Sequence, residues 1–427
     1  YADYLTKWAE TRRPLPPLVP REAGDWRAPK AWALPQVQGR DFWYLGAAEM
    51  VAGLPYPVLI SNQAEKAAVV NAYRANPAQA PVFTSPACGV KLHLGVKELL
   101  DPANPVRRWI LERKVPFVLS GNYGSFGKIP GSYQEMTRTF GDLWVGIISG
   151  ENSYLGFPLT PDALPTGPDA KQTIYEYLFK DGMAVARQKL EADWASTIPS
   201  PFERLIMGLS VETRRECHRF GETGCRVIAA ESASAMPYTQ AQMAFVRGAA
   251  RQYGRQWLWY WGASFGDAIR TFIQEPYVLK LEGLEVVNKS PVVGPSLPHI
   301  RRVMLQSYLQ GATYFYPEQG YNLFDDKGQL NPMGWCYDEM LRLAARHPDR
   351  GVPWTPVALL LDRAHGWEKY TYTGERVWGG PAMRRPDRMI SAVLNTAYYP
   401  FPRNEGDFVD DLNVPWPNGY FGDQFDV

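Results

Sequence analysis

The sequence predicts an α/β fold, either a barrel or a doubly wound parallel sheet. Three observations carry that expectation. Short, wholly apolar runs recur between Phe42 and Tyr316, and such runs suit strands buried on both faces, as in a parallel sheet. Amphipathic segments of helical period lie between them, and strand–helix alternation marks α/β architecture. The chain has 427 residues, too many for one small core and suited to one large domain plus part of another.

Taken in order, residues 1–36 hold many prolines and little periodicity, as an arm wrapping a domain would. Strands are then expected at Phe42–Leu45, Val82–Thr84, Val115–Ser120, Leu143–Ser149, Cys225–Ala230, Trp257–Trp261 and Ala312–Tyr316. Helices are expected from Lys171 to Trp194, from Pro201 to Phe220, from Thr239 to about Tyr253, and from His299 to Gln310. The last puts Ile300, Val303, Met304 and Tyr308 on one face, and Gly311 supplies its stop. The segment YVLKLEGLEVVNKSPVVGPSLPH (277–299) is either a lid or a β-hairpin; it is long for a structureless loop. Residues 346–356 carry three prolines and mixed charge, as a linker would, and Val357–Leu361 starts a fresh buried strand. The organisation expected is therefore an arm (1–36), a main catalytic domain (37–345), a linker (346–356) and the opening of a second α/β domain (357–427).

Composition narrows the function. Lys+Arg number 45 and Asp+Glu 44, so no overall field favours nucleic acid or anionic lipid as a partner. No apolar stretch is long enough to span a membrane. The four cysteines (Cys88, Cys217, Cys225, Cys336) show no CxxC pairing and histidines number five, so neither a zinc nor an iron–sulfur site is expected. Cys217 and Cys225 read as two buried thiols rather than a disulfide. There is no GxGxxG after a strand, no GxxxxGK[ST] and no GxSxG elbow; no cofactor is expected. The compartment is left open, with a secreted or periplasmic location favoured over a cytoplasmic one.

Functional residues of parallel α/β folds gather at the C-terminal ends of the strands. Three apolar runs are followed there by a carboxylate: Glu151, Glu231 and Glu318. Each alone is as readily a helix cap or an arginine partner; three at equivalent places predict an acidic pocket, since a carboxylate after a buried strand is costly unless it faces polar surroundings. Such a pocket suits glycoside cleavage, in which one carboxyl group donates a proton and the other stays ionised. Aromatic residues make up 13% of the chain, and several fall at the same strand ends, where sugar rings would pack on them. Trp257, Trp259 and Trp261 share one face, either the interior of a barrel or its helix layer. Candidate sugar-binding residues are Asn122, Tyr123, Asn152, Trp259, Trp261, Asp267, Glu282 and Tyr316.

The order of Gly150-Glu151, the segment GPSLPHIRR…YLQGATYFYPEQG (294–320) and VALLLDRAHGWE (357–368) resembles the clan A (β/α)8-barrel glycoside hydrolases. The similarity is specific over about 294–368, and extends to bacterial β-galactosidases in which a flavodoxin-like domain follows the barrel. The resemblance implies a (β/α)8 TIM-type barrel followed by an incomplete flavodoxin-like α/β domain, and a homo-oligomer formed through it. It implies a retaining glycosidase acting on an oligo- or polysaccharide, with Glu151 as general acid/base and Glu318 as nucleophile if 312–316 is the seventh strand. If that strand is the eighth, Glu318 becomes a binding residue and the nucleophile is elsewhere, Glu231 or Glu282. Gly150 departs from the clan, which usually has asparagine before its acid/base glutamate. The alternative is a non-catalytic carbohydrate-binding or assembly protein on the same scaffold.

Overall fold

The computed structural model describes residues 36–49, 58–59, 66–75, 85–92, 94–120, 133–149, 205–209, 217–218, 221, 225–233, 239–262, 277–281, 284–288, 297–317, 323–325, 327–361, 385 and 425–426. All of them belong to one compact unit, residues 34–427.

Eight parallel strands form its centre: β1 (Trp43–Glu49), β3 (Cys88–Leu92), β4 (Phe117–Ser120), β5 (Trp144–Ser149), β6 (Leu205–Leu209), β7 (Val227–Ala233), β8 (Gln256–Gly262) and β11 (Tyr314–Pro317). Each pairs with the next in that order. The first also pairs with the last, Trp43 with Tyr314 and Tyr44 with Phe315, so the ring closes. The short strand β2 (Val58–Leu59) runs antiparallel against the C-terminal end of β1.

Alternation along the strands sorts their side chains into two cores. Trp43, Leu45, Val118, Val227, Leu258 and Tyr314 fill the lumen. Tyr44, Val90, Phe117, Ile228, Trp257 and Phe315 face outward into a larger core shared with the helices. The described helices are α1 (Lys66–Ala75), α2 (Val96–Leu100), α3 (Pro105–Arg113), α4 (Tyr133–Phe140), α5 (Thr239–Tyr253), α6 (Leu297–Leu309) and α7 (Pro332–Arg346). Local chemistry sets their ends. Asn104 caps α3, its Oδ1 accepting from Val106 N at 2.8 Å, with Pro105 at the first helical position, where the absent N–H costs nothing. α6 buries Ile300, Val303, Met304 and Tyr308 and stops at Gly311, whose φ of +99° a glycine adopts without a steric penalty.

The N-terminal mouth of the barrel is plugged. Val37 and Arg40 exchange backbone hydrogen bonds around Gln38-Gly39, both at positive φ. This tight turn inserts Val37 into the lumen core, and Trp43 Nε1 donates to the Val37 carbonyl at 3.2 Å. A buried ion pair locks the same end. Arg350 Nε lies 3.4 Å from Asp41 Oδ1, the Arg350 backbone N–H donates to Asp41 Oδ2 at 2.9 Å, and Arg350 Nη2 donates to the carbonyls of Asp41 and Ala312.

Several expectations change. Leu205–Leu209 is a strand, not part of a helix over Pro201–Phe220. Its apolar residues also fit a helical period; pairing with β5 and β7 decides the matter, because the ring cannot close without a fifth strand. Cys88–Leu92 forms a strand that the expected set lacks, while 82–84 lie outside the described residues. β7 does not end before Glu231 but runs through it to Ala233, with Glu231 opposite Tyr260. Tyr277–Leu281 (β9) and Leu284–Asn288 (β10) form an antiparallel hairpin, settling the choice between lid and hairpin at the level of backbone pairing. The expected helix over 171–194 and the arm over 1–35 fall outside the described residues.

Residues 347–356 carry no regular structure but are pinned to the barrel, since Arg251 of α5 donates to Thr355 Oγ1 and to the Pro353 carbonyl. The strand expected to be buried at 357–361 is two residues long, β12 (Val357–Ala358), in parallel pairing with β13 (Phe425–Asp426). Val357 is 42% and Leu360 91% exposed: pairing with a two-residue strand satisfies backbone groups but covers neither face. No helix among the described residues is long and apolar enough to cross a membrane.

Candidate active site at the C-terminal mouth of the barrel

With the N-terminal end plugged by Val37, the described lysine and tyrosine side chains that meet in the lumen, Lys91 and Tyr316, lie in its C-terminal half. Near the N-terminal ends the lumen holds Trp43, Gln256 and Tyr314, with the Tyr314 hydroxyl 3.5 Å from Gln256 Oε1. Toward the other end, alternation and register give the lumen-facing positions to Ala47 on β1, Ser120 on β4 and Gly208 on β6.

A polar and aromatic group shares this end, with Lys91 the register partner of Ala47. Lys91 is on β3, whose Val90 and Leu92 face the helix layer, so the residue between them faces the lumen. It is 9% exposed, and its Nζ donates to the Tyr316 hydroxyl at 2.6 Å, a short charge-assisted bond. Tyr260 of β8 stacks on Tyr316 of β11, with ring centroids 5.0 Å apart and planes at 26°. Position 231 pairs with Tyr260 and shares the strand face of Val227 and Ala229, both in the lumen core. Position 49, the last residue of β1, shares the face of Trp43 and Leu45 by the same alternation. A lumen cation, two stacked phenols and two carboxylate-bearing positions thus converge on one end of the barrel.

The residues expected from sequence divide three ways. Tyr316 is in this group. Glu231 is on its face of the sheet at the level of the backbone. Trp259 and Trp261 are on the opposite face: both are fully buried in the outer core with the helices, and Trp261 lies 6.3 Å from the Phe315 ring. Their alternation resolves to the helix layer, a place for packing rather than for stacking on a sugar. Glu151, Glu318, Asn122, Tyr123, Asn152, Asp267 and Glu282 lie outside the described residues. By strand count, Pro317 ends the eighth barrel strand, so Glu318 follows the eighth and not the seventh.

Sequence reasoning missed Lys91 and Glu49. A lysine inside the apolar run CGVKL was the available signal for the first. For the second, the strand beginning at Phe42 had only to be carried to its carboxylate at Glu49.

All four cysteines are buried thiols. Burial pushes the Cys88 thiol well above its ordinary value, which removes it as a nucleophile. Among the described residues no cluster of three or more His, Cys, Asp or Glu offers a metal site.

No family model matches the sequence, and no curated protein sequence matches it. Among solved structures, the chain is similar to the catalytic domain of a β-amylase from Paenibacillus polymyxa, over 71% of this chain and 99% of that one, at 9% identity and a TM-score of 0.32.

Proposed function

We propose that this chain is a glycoside hydrolase that cleaves O-glycosidic bonds of an oligo- or polysaccharide with two carboxyl groups and no cofactor. One observation carries the reading. The C-terminal half of a closed parallel barrel has stacked tyrosines and a lumen-facing glutamate position, and two further glutamates follow barrel strands there in sequence: Glu151 two residues after Ser149, and Glu318 directly after Pro317. In this proposal Glu151 is the general acid/base. It gives its proton to the leaving oxygen as the bond to the anomeric carbon breaks, and takes one from water in the second half-reaction. The ionised partner is Glu231, acting as nucleophile on the anomeric carbon in a retaining sequence, while Glu318, which follows the eighth strand, is proposed as a sugar-binding residue. Asn122, Tyr123, Asn152, Asp267, Glu282 and Tyr316 are proposed to contact sugar hydroxyls. Residues 357–427 are proposed to open a flavodoxin-like domain through which the protein self-associates.

The test is hydrolysis of a panel of aryl glycosides and polysaccharides by the wild type and by Glu151→Gln, Glu231→Gln and Glu318→Gln. Loss of at least ~10³-fold in two of the three is the expected result. No turnover by the wild type, with sugar binding unchanged in all three variants, would replace this reading by a non-catalytic carbohydrate-binding one.

A further inference from the structure

The segment from Gly351 to Leu361 (GVPWTPVALLL) carries no charged side chain, yet most of it is exposed. Leu360 is 91%, Trp354 76%, Val357 42% and Val352 40% exposed. Four of the six large hydrophobic side chains exposed among the described residues thus fall in this one stretch. Scattered singly they would need no explanation; gathered together they mark an interaction surface. The segment is also held in shape by the barrel. Arg350, just before it, is tied into the buried pair with Asp41. Arg251 donates to the Pro353 carbonyl and to Thr355 Oγ1, and Thr355 is buried. A surface already ordered loses little entropy on association. β12 has β13 along one edge; among the described residues no strand pairs with its other edge, and an unpaired edge is a template for a further strand.

We propose that residues 351–361 form the centre of a two-fold interface with a second copy of this chain, which gives the proposed self-association its surface and does not depend on the glycosidase reading. The chemistry of the segment selects this occupant. A two-fold axis sets each residue near it against its own counterpart, so a charged residue there would meet its own charge, and like charges set opposite each other are destabilising. A stretch with no charge meets itself without that cost. A charged partner surface would instead have its ions desolvated against Trp354, Val357 and Leu360 with no counter-ion. The net charge of +1 adds little repulsion between copies. The exposed area is also sufficient. Trp354 presents roughly 150 Å², and with Leu360, Val357, Val352 and their neighbours the patch reaches roughly 400–500 Å² per copy, the size of a reversible rather than a permanent dimer.

The experiment is sedimentation velocity of the full chain across a range of concentrations, beside Trp354→Lys and Leu360→Lys, each checked by circular dichroism. The wild type should pass from monomer to dimer as concentration rises. Each lysine, set near its own copy, should weaken the dimer at least about 100-fold. Leu360→Cys gives an independent readout, because the four native thiols are buried. Its introduced thiol should react quickly with dithionitrobenzoate in the dilute monomer and slowly in the dimer. Where a lysine variant loses the wild-type circular dichroism, this protection decides alone. A wild type that stays monomeric at every concentration overturns the proposal: a fast introduced thiol then means a bare surface, and a slow one means that other residues of the same chain cover it. A dimer that persists unweakened in a folded lysine variant has its interface elsewhere. A trimer, which needs two different surfaces, equally overturns the two-fold contact. None of these readouts uses catalysis, so their failure is distinct from failure of the glycosidase reading.

Discussion

Replacing Arg350 by methionine is the most informative single perturbation of the scaffold. The guanidinium is nearly inaccessible, with side-chain exposure of 5%, and its partner Asp41 has 2%. It donates to the Asp41 carbonyl at 2.8 Å and to the carbonyls of Ala312 and Tyr308, and lies 4.7 Å from the Tyr308 ring. Methionine keeps much of the stem's volume but leaves the Asp41 carboxylate buried without its counter-ion. Breaking a buried pair on one side costs about 3–5 kcal/mol. With an unfolding entropy of about 2.1 cal/mol/K per residue and a cooperative unit of roughly 300 residues, that is a fall in Tm of about 5–8 °C. Burial pushes the Asp41 pKa up despite Arg350, and brings Arg350 down to about 10 despite Asp41, so desolvation outweighs attraction for both ions. The double variant Asp41→Asn/Arg350→Met, which removes both charges, should therefore be more stable than Arg350→Met alone. The pH dependence has a definite sign. The raised Asp41 pKa contributes stability that is fully present below its ordinary value of 3.8 and is lost as pH rises through the folded value; Asp41→Asn should abolish that decline. Thermal unfolding by circular dichroism reads all three variants. A Tm change under 1 °C in Arg350→Met, or a double variant less stable than the single, would refute the reasoning.

Three further outcomes are expected. Trp261→Ala should cost about 3–5 kcal/mol in urea unfolding while leaving sugar affinity per folded molecule unchanged; a selective loss of affinity would return the residue to the site. Gly334→Ala should destabilise by about 1–3 kcal/mol, because a Cβ there would meet the Leu323 carbonyl oxygen at 2.2 Å and Leu330 Cδ2 at 2.8 Å, and urea midpoints would show it. The four buried thiols should react with dithionitrobenzoate at pH 8 only on the timescale of unfolding, and all at once in guanidinium; a fast native thiol would contradict their burial.

Much of this molecule is determined locally. Six of the eight barrel strands, helices α5 and α6 and the stop at Gly311 follow from apolar runs, helical period and glycine's conformational freedom, all set by neighbours within a few residues. The carboxylate after Ser149 and the alternation of Trp257, Trp259 and Trp261 are equally plain in the sequence. What the sequence left open are quantities that exist only once the ring closes. Leu205–Leu209 fits a helix or a strand until β5 and β7 claim its hydrogen bonds. The same closure makes Ala312–Tyr316 part of the eighth strand, turns the three tryptophans toward the helices, and brings Lys91 to the Tyr316 hydroxyl. Asp41 and Arg350 stand 309 residues apart in the chain, and no local pattern couples them. Strand period fixes that residues alternate; only the closed parallel sheet decides which face is lumen and which residues meet there.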